Sequence, residues 1–252
     1  MNSAIFEVKP AIGFTAFLRK ATWAAAPVAV LAFWGGVLMA AWRYPSEYDW
    51  RYIPVSSLFS ASEDPAGYSW AATGMVLCGV CLSWWALSAR RWTHGNANIR
   101  PIGPRALQFG SFFMVCVALP AWAVPLHKGH EIIAIAAFSG LCIGIVLMSF
   151  QMFEGILLWQ KRGLMGNSRL YASVLAGTSV LSIPLAGLAQ LYVFYALPAL
   201  PWVNLSWRAS QVPVYLSFAF WEWVTCAALS ASMMILGLAA GRVWAMRPAV
   251  RS

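Results

Sequence analysis

The sequence contains little charge. Lys, Arg, Asp and Glu make up 10% of the 252 residues, whereas 61% are hydrophobic. Soluble domains carry about 25% charged residues, so this composition excludes an ordinary soluble domain and indicates a polytopic membrane protein. The mean hydropathy of +0.67 points the same way. A chain of this length accommodates one helical bundle and leaves no room for a large soluble domain.

Acidic residues are especially scarce, with eight Asp and Glu against 17 Lys and Arg and a formal net charge of +9. In a soluble protein this excess would suggest a nucleic-acid partner. In a membrane protein it can instead set the orientation of the spans, which the distribution of charge among the loops tests.

Cysteine and histidine are sparse as well. All five cysteines lie inside apolar runs, which is typical of small buried hydrophobic residues and excludes a disulfide framework. His127, His130 and Glu131 lie within five residues, but this spacing offers two ligands at most, and structural zinc takes four. We therefore expect no bound metal and no soluble cofactor.

Long apolar runs, by contrast, are abundant, and they predict an all-α, polytopic transmembrane six-helix bundle. The predicted spans within a transmembrane domain 21–241 are about 21–42, 69–89, 106–126, 131–153, 170–197 and 212–241. Residues 1–20 form the predicted cytoplasmic N-terminal segment, and residues 242–252 form a basic cytoplasmic tail. The first run is too long for a cleavable signal peptide.

The basic residues divide unevenly between the two predicted sides of the membrane. Of the 17, only Arg43, Arg51, Lys128 and Arg208 fall on the side opposite to the termini. The positive-inside rule therefore predicts cytoplasmic N- and C-termini. This bias accounts for the net charge without nucleic acid, so we expect no nucleic-acid partner. The predicted location is the plasma membrane or a bacterial inner membrane, with an endomembrane as the alternative.

Glu222 is the one full charge inside the last apolar run. Counted from Val212, it falls near the bilayer midplane, because ten residues of helix cover about 15 Å of a ~30 Å core. An ionised carboxylate there costs at least ~2.5 kcal/mol and needs a partner, water or a proton. A structural carboxyl bonded to another helix, for example at Gln151 or Gln190, is an equally weighted alternative to a functional one.

The candidate ligand-binding residues surround this carboxyl or lie on the predicted outer side. Trp221, Trp223 and Thr225 accompany Glu222 in the last span, and Thr225 shares its helical face. For His130 and Glu131, headgroup contact or helix capping is the favoured interpretation. Ser57 is interpreted as a cap or turn residue and not as a nucleophile, because most loop serines are caps or turns and no G-x-S-x-G motif surrounds it. Asp64 is interpreted as part of a turn or of the entry into the second span. These outer residues are Ser57, Asp64, His130 and Glu131.

Small residues recur at four-residue spacing in two spans, as Gly140-x-x-x-Gly144 and Gly237-x-x-x-Gly241. Such faces let helix backbones approach closely inside a membrane. They predict close helix packing, either within one chain or in a homo- or hetero-oligomer. Membrane lipids are the main predicted partners.

Four short segments combine with the six predicted spans into a recognisable pattern. They are Ile53-Pro54-Val55-Ser56-Ser57-Leu58, His130-Glu131-Ile132-Ile133-Ala134, Ser149-Phe150-Gln151-Met152 and Trp221-Glu222-Trp223. In these segments and in architecture, the chain resembles the DRAM/Frag/Sfk family. The resemblance implies a six-helix bundle that handles lipid or sterol. The abundance of Trp and the strong basic bias distinguish this chain and suit a bacterial inner-membrane relative.

The leading hypothesis is a membrane protein that handles or senses lipid through an outward-facing intramembrane polar cavity, without catalysis. An intramembrane lipid-modifying enzyme would use Glu222 or His130 as acid or base. A proton-coupled small-molecule transporter would titrate Glu222 during its cycle. A structural subunit of a larger membrane complex is the fourth interpretation.

Overall fold

A computed structural model describes the backbone of residues 12–93, 102–118, 127–161, 163, 167–196 and 213–246. Side chains are described over 24–89, 102–118, 132–157, 160–161, 163, 167–193 and 213–241. Within these ranges the chain is helical and contains no strand.

Seven α-helices follow one another along the described chain. They are α1 (Ile12–Arg43), α2 (Tyr68–Thr93), α3 (Ile102–Ala118), α4 (His127–Lys161), α5 (Ser168–Leu175), α6 (Ile183–Ala196) and α7 (Phe218–Met246). A π-helical stretch, Ala176–Ser182, joins α5 to α6 without a break, and short 3-10 turns lie at Val55–Phe59 and Val214–Leu216.

Five helical segments among the described residues are long and apolar enough to cross a membrane. They cover Ala24–Arg43, Tyr68–Ala89, Ile132–Leu157, Ser168–Val193 and Phe218–Gly241. The helix α3 is also apolar but has 17 residues, about 26 Å against a ~30 Å hydrocarbon core. The prediction of an all-helical, multi-pass membrane protein is therefore confirmed.

The outer surface of these helices carries large apolar side chains. Leu31 is 71% exposed, Leu185 is 64% exposed and Leu188 is 63% exposed. Side chains of this kind would lie in water if the bundle were soluble, whereas lipid tails solvate them without penalty. The exposed apolar surface is consistent with an integral membrane protein.

Neighbouring helices in the chain pack side by side, α1 on α2, α2 on α3 and α3 on α4. The helix α7 packs on α1, α4 and α6, so it joins the end of the described chain to its beginning. Gly237 of α7 faces Ala26, while Trp34 contacts Ser230, so α1 and α7 run antiparallel.

Glycines set the closest helix contacts. A Cβ at Gly36 would lie 2.9 Å from the Gly74 Cα, and a Cβ at Gly140 would lie 2.7 Å from the Gly110 Cα. A Cβ at Gly144 would lie 2.5 Å from the Leu107 backbone nitrogen. The Gly140 and Gly144 face is therefore covered by α3 of the same chain. Assembly with a second subunit stays a prediction.

The π-helical stretch directly precedes the first turn of α6, which contains Pro184. Proline has no N–H to donate to the preceding turn, and its ring collides with the carbonyl four residues back. A wider turn just before it removes this collision locally. The hydroxyls of Thr178 and Ser182 donate to carbonyls one turn back, at Val174 and Thr178.

Candidate ligand site at the loop end of the bundle

Carbonyl groups of the loop between α1 and α2, residues 44–67, accept hydrogen bonds from Tyr48 inside the loop and from Trp223 of α7. The Tyr48 hydroxyl lies 3.0 Å from the Ile53 carbonyl and 3.1 Å from the Pro54 carbonyl and can donate to either. The Trp223 indole N–H donates to the Ile53 carbonyl across 3.4 Å. The apolar side chains of Ile53 and Leu58, which belong to this loop, are buried. A turn of the loop is thereby held against the start of α7.

Glu222 contacts this turn directly. Its Oε2 accepts the backbone N–H of Ser56 across 3.2 Å and the Ser56 hydroxyl across 3.4 Å. The first N–H groups of a helical turn have no partner inside the turn. The residue that precedes this turn is Pro54, which makes no side-chain cap. A carboxylate from a distant helix therefore supplies the missing acceptor.

The prediction that Glu222 lies near the midplane of its span is wrong. Glu222 is the fifth residue of α7 and of the candidate span Phe218–Gly241, about 6 Å from the start of the helix. The predicted span begins at 212, but Pro213 and the turn Val214–Leu216 precede the helix. The carboxylate accordingly lies at one end of the span, and its side chain is half-buried.

Aromatic rings pack on Trp223, the residue after Glu222. The Trp34 and Trp223 ring centroids are 5.6 Å apart, and the Tyr48 and Trp223 centroids are 6.1 Å apart in an edge-to-face arrangement. The Trp34 indole N–H donates to the Ser230 hydroxyl across 2.9 Å. Glu222, Ser56, Tyr48, Trp34 and Trp223 are called the Glu222 cluster below.

The electrostatics of the loop keep Tyr48 a hydrogen-bond donor. Burial raises the pKa of its phenol far above the usual value of 10.0, and the nearby Glu222 carboxylate raises it further. Both effects disfavour a phenolate. The neutral hydroxyl can therefore hold the loop carbonyls across the whole physiological pH range.

Two of the predicted residues in α7, Trp221 and Thr225, donate hydrogen bonds to nearby backbone carbonyls of the same chain. The buried Thr225 hydroxyl donates to the Trp221 carbonyl across 2.7 Å. The Trp221 indole N–H donates to the Tyr215 carbonyl across 2.7 Å, and its ring lies against Phe220. These groups therefore stabilise the start of α7. Glu222 and Trp223, by contrast, form hydrogen bonds to the loop, at Ser56 and at Ile53.

The predicted loop residues are placed differently from one another. Ser57 is buried in the 3-10 turn next to Ser56. Asp64 is fully buried and marks the start of α2, where its Oδ1 accepts the Gly67 N–H across 2.9 Å. Its Oδ2 has no hydrogen-bond partner among the described residues, and burial raises the pKa of this carboxyl.

His130 and Glu131 lie in the first turns of α4, but their side chains are outside the described residues. The structure therefore does not test their predicted place in the site. Where side chains are described, no three His, Cys, Asp or Glu side chains form a metal-binding group. The absence of a metal or cofactor stays a prediction.

Several members of the cluster are not among the residues that the sequence singles out for a site. The local pattern favours Ser57 over its neighbour Ser56, and it marks Trp34 only as a span residue. It marks Tyr48 as one of the loop aromatics that would hold a headgroup or acyl chain at the interface. The contacts join residues 166 and 170 positions apart along the chain, so no local spacing could reveal them. Pro54 is the one available signal, because a turn that follows a residue without a capping side chain needs an external acceptor.

A cleft lies at the opposite end of the bundle from the Glu222 cluster. It is open and shallow, and it is lined by Glu154, Leu157, Gln160, Lys161 and Arg169. We call this set the basic cleft. Of the predicted site residues whose side chains are described, none lines it.

Comparison with known proteins finds no matching family model, no matching curated protein and no matching solved structure. The resemblance to the DRAM/Frag/Sfk family therefore stays a prediction that depends on the short segments named above.

Proposed function

We propose that this membrane protein binds the headgroup of a lipid at the Glu222 cluster and acts by handling or sensing that lipid, without catalysis. The observation that carries the proposal is a half-buried carboxylate at the end of a candidate span, next in the chain to Trp223, whose ring packs on Tyr48. Lipid headgroups lie at this depth, and Trp and Tyr rings favour the same interface.

The chemistry of the cluster supports a ligand with hydrogen-bond donors. An ionised carboxylate accepts through about four lone-pair positions, and Ser56 supplies two donors to one oxygen. The remaining acceptor positions suit an ammonium or hydroxyl group of a headgroup. The rings of Tyr48 and Trp223, which pack edge to face, would add favourable contact with a cation.

The same geometry argues against acid–base catalysis by Glu222. A catalytic base must reach the proton that it removes, at about 2.6–3.2 Å. The Ser56 hydroxyl lies 3.4 Å from the carboxylate, while the Ser56 backbone N–H is nearer at 3.2 Å. At these distances Glu222 caps the loop turn, and the Ser56 hydroxyl lies just outside the range for proton removal.

The proposal includes six spans with both termini in the cytoplasm, so that the Glu222 cluster faces outward. The five candidate spans and the shorter apolar α3 support this arrangement. The charge distribution supports it too, because only four of the 17 basic residues fall on the predicted outer side. A reporter fused after Ser252 should be cytoplasmic. An extracytoplasmic reporter would contradict the proposed orientation.

The binding proposal is tested by native mass spectrometry with lipid analysis of wild type, Glu222→Gln and Glu63→Gln. Glu63 is an exposed acid of the same loop, so the control makes the same chemical change away from the cluster. Glutamine retains an acceptor for Ser56 but loses the negative charge. We expect one lipid class to remain with wild type and Glu63→Gln and to be lost from Glu222→Gln at unchanged melting temperature. Identical lipids in all three proteins would refute the proposal.

A further inference from the structure

The basic cleft at the end of α4 is lined by two basic side chains and one carboxylate. Lys161 and Arg169 are exposed and line the cleft together with the exposed Glu154. Among the residues that the structure describes, no ion pair joins Glu154 to either cation. Two positive groups and one negative group therefore face the same open space.

The cleft lies at the level where two candidate spans end. The span of α4 ends at Leu157, and the next candidate span begins at Ser168. Lys161 is four residues beyond the first of these limits, and Arg169 is in the first turn of the second helix. Lipid phosphates lie at this boundary, just beyond the hydrocarbon core.

One face of α4 leads from the apolar surface into the cleft. Phe150, Glu154, Leu157 and Lys161 follow one another at spacings of four, three and four residues, so they share a face of the helix. Phe150 is 48% exposed towards the lipid side of the bundle. Leu170, next to Arg169, is 64% exposed. An acyl chain lying along these side chains would bring its headgroup to the charges.

We infer that the basic cleft binds an aminophospholipid, with its phosphate between Lys161 and Arg169 and its primary ammonium on the Glu154 carboxylate. The charges are opposite in sign to those of the headgroup: the two cations would share the phosphate, and the carboxylate would face the ammonium. The Gln160 amide supplies a further donor for a phosphate oxygen. This site is at the opposite end from the Glu222 cluster and does not depend on the headgroup proposed there.

The test measures lipid binding to the full chain in detergent by native mass spectrometry. The probes are phosphatidylethanolamine, phosphatidylglycerol and phosphatidylcholine with identical acyl chains. The variants Lys161→Gln and Arg169→Gln should each weaken binding of phosphatidylethanolamine and phosphatidylglycerol about fivefold, as expected for one basic residue near a lipid phosphate. The control Arg105→Gln removes an exposed cation at the start of α3, outside the cleft.

The carboxylate is tested by Glu154→Gln. Binding of phosphatidylethanolamine should weaken, whereas binding of phosphatidylglycerol, which has no ammonium, should stay the same or increase. Wild type should bind phosphatidylcholine more weakly than phosphatidylethanolamine, since its quaternary ammonium has no N–H to donate. Melting temperatures of all variants should match wild type, because every substituted side chain is exposed.

Three outcomes would overturn the inference. If Lys161→Gln and Arg169→Gln behaved like Arg105→Gln, the proposed phosphate site would be contradicted. If Glu154→Gln affected phosphatidylethanolamine and phosphatidylglycerol equally, the proposed ammonium site would be contradicted. Soluble phosphoethanolamine or inorganic phosphate could bind as tightly as the lipid, which would identify a water-soluble ligand instead.

Discussion

The contact between Gly110 of α3 and Gly140 of α4 leaves no room for a side chain. A Cβ at Gly140 would lie 2.7 Å from both the Cα and the nitrogen of Gly110 and 3.0 Å from Phe109 Cδ1. Two of these three atoms belong to backbone, so they cannot rotate away as a flexible side chain can. Gly140→Ala should therefore push the two helices apart.

The size of this effect follows from two opposing contributions. Overpacking a close contact costs about 1–3 kcal/mol. Replacing glycine by alanine inside a helix returns up to about 1 kcal/mol through helix propensity. A Cβ added at Gly155 in the same helix would meet no atom from elsewhere in the described chain within 4 Å, so Gly155→Ala gains the propensity without the collision. We expect Gly140→Ala to be less stable than Gly155→Ala by about 1–3 kcal/mol, which is the collision cost alone.

The assay is reversible unfolding of each variant in mixed micelles by increasing fractions of denaturing detergent, followed by tryptophan fluorescence. The Gly140→Ala midpoint should fall below that of wild type, and the Gly155→Ala midpoint should be equal or higher. Equal midpoints for the two alanine variants would refute the close packing of α3 on α4.

Three further predictions concern the contact of α1 with α7 and the loop between α1 and α2. Trp34→Phe removes the hydrogen bond to Ser230 and should lower stability by about 0.5–1.5 kcal/mol in the same unfolding assay. Trp42→Phe, at a 77% exposed position, should leave stability unchanged, and equal losses would contradict the assigned bond. Gly67→Ala should destabilise the start of α2, because its Cβ would lie 2.7 Å from the Ala40 carbonyl oxygen; normal melting would contradict this. The pKa of Asp64 is raised above its ordinary 3.8, so the stability that its protonation confers is complete below pH 3.8 and is lost as pH rises through the folded-state pKa. Wild type should lose stability relative to Asp64→Asn over that rise, and a constant difference across pH would refute the raised pKa.

The helical, multi-pass character of the chain follows from its long apolar runs, because each run must satisfy its backbone groups internally inside a membrane. The depth of Glu222 could not be predicted in the same way. Its position depends on where α7 begins, and the start at Phe218 follows Pro213 and a short 3-10 turn. Hydropathy continues through these residues and does not mark the boundary.

The partner of Glu222 was also beyond local sequence patterns. Ser56 and Ser57 are chemically identical neighbours, and only the packing of the loop on α7 decides that Ser56 contacts the carboxylate. Glycine spacing, similarly, predicted close helix packing at Gly140 and Gly144, but it did not say which helix would lie there. The structure places α3 of the same chain against that face.

The bond between Ser56 and Glu222 has a consequence for biosynthesis. These residues are 166 positions apart, and ribosomes add about 5–20 residues per second. The loop turn is therefore made about 8–30 seconds before its acceptor exists. Until α7 enters the membrane, the Ser56 N–H lacks the Glu222 carboxylate as its acceptor, and the loop remains at the membrane surface without this contact. Completion of this end of the bundle is consequently a late event, and a chain arrested before α7 would expose the loop to proteases or to chaperones.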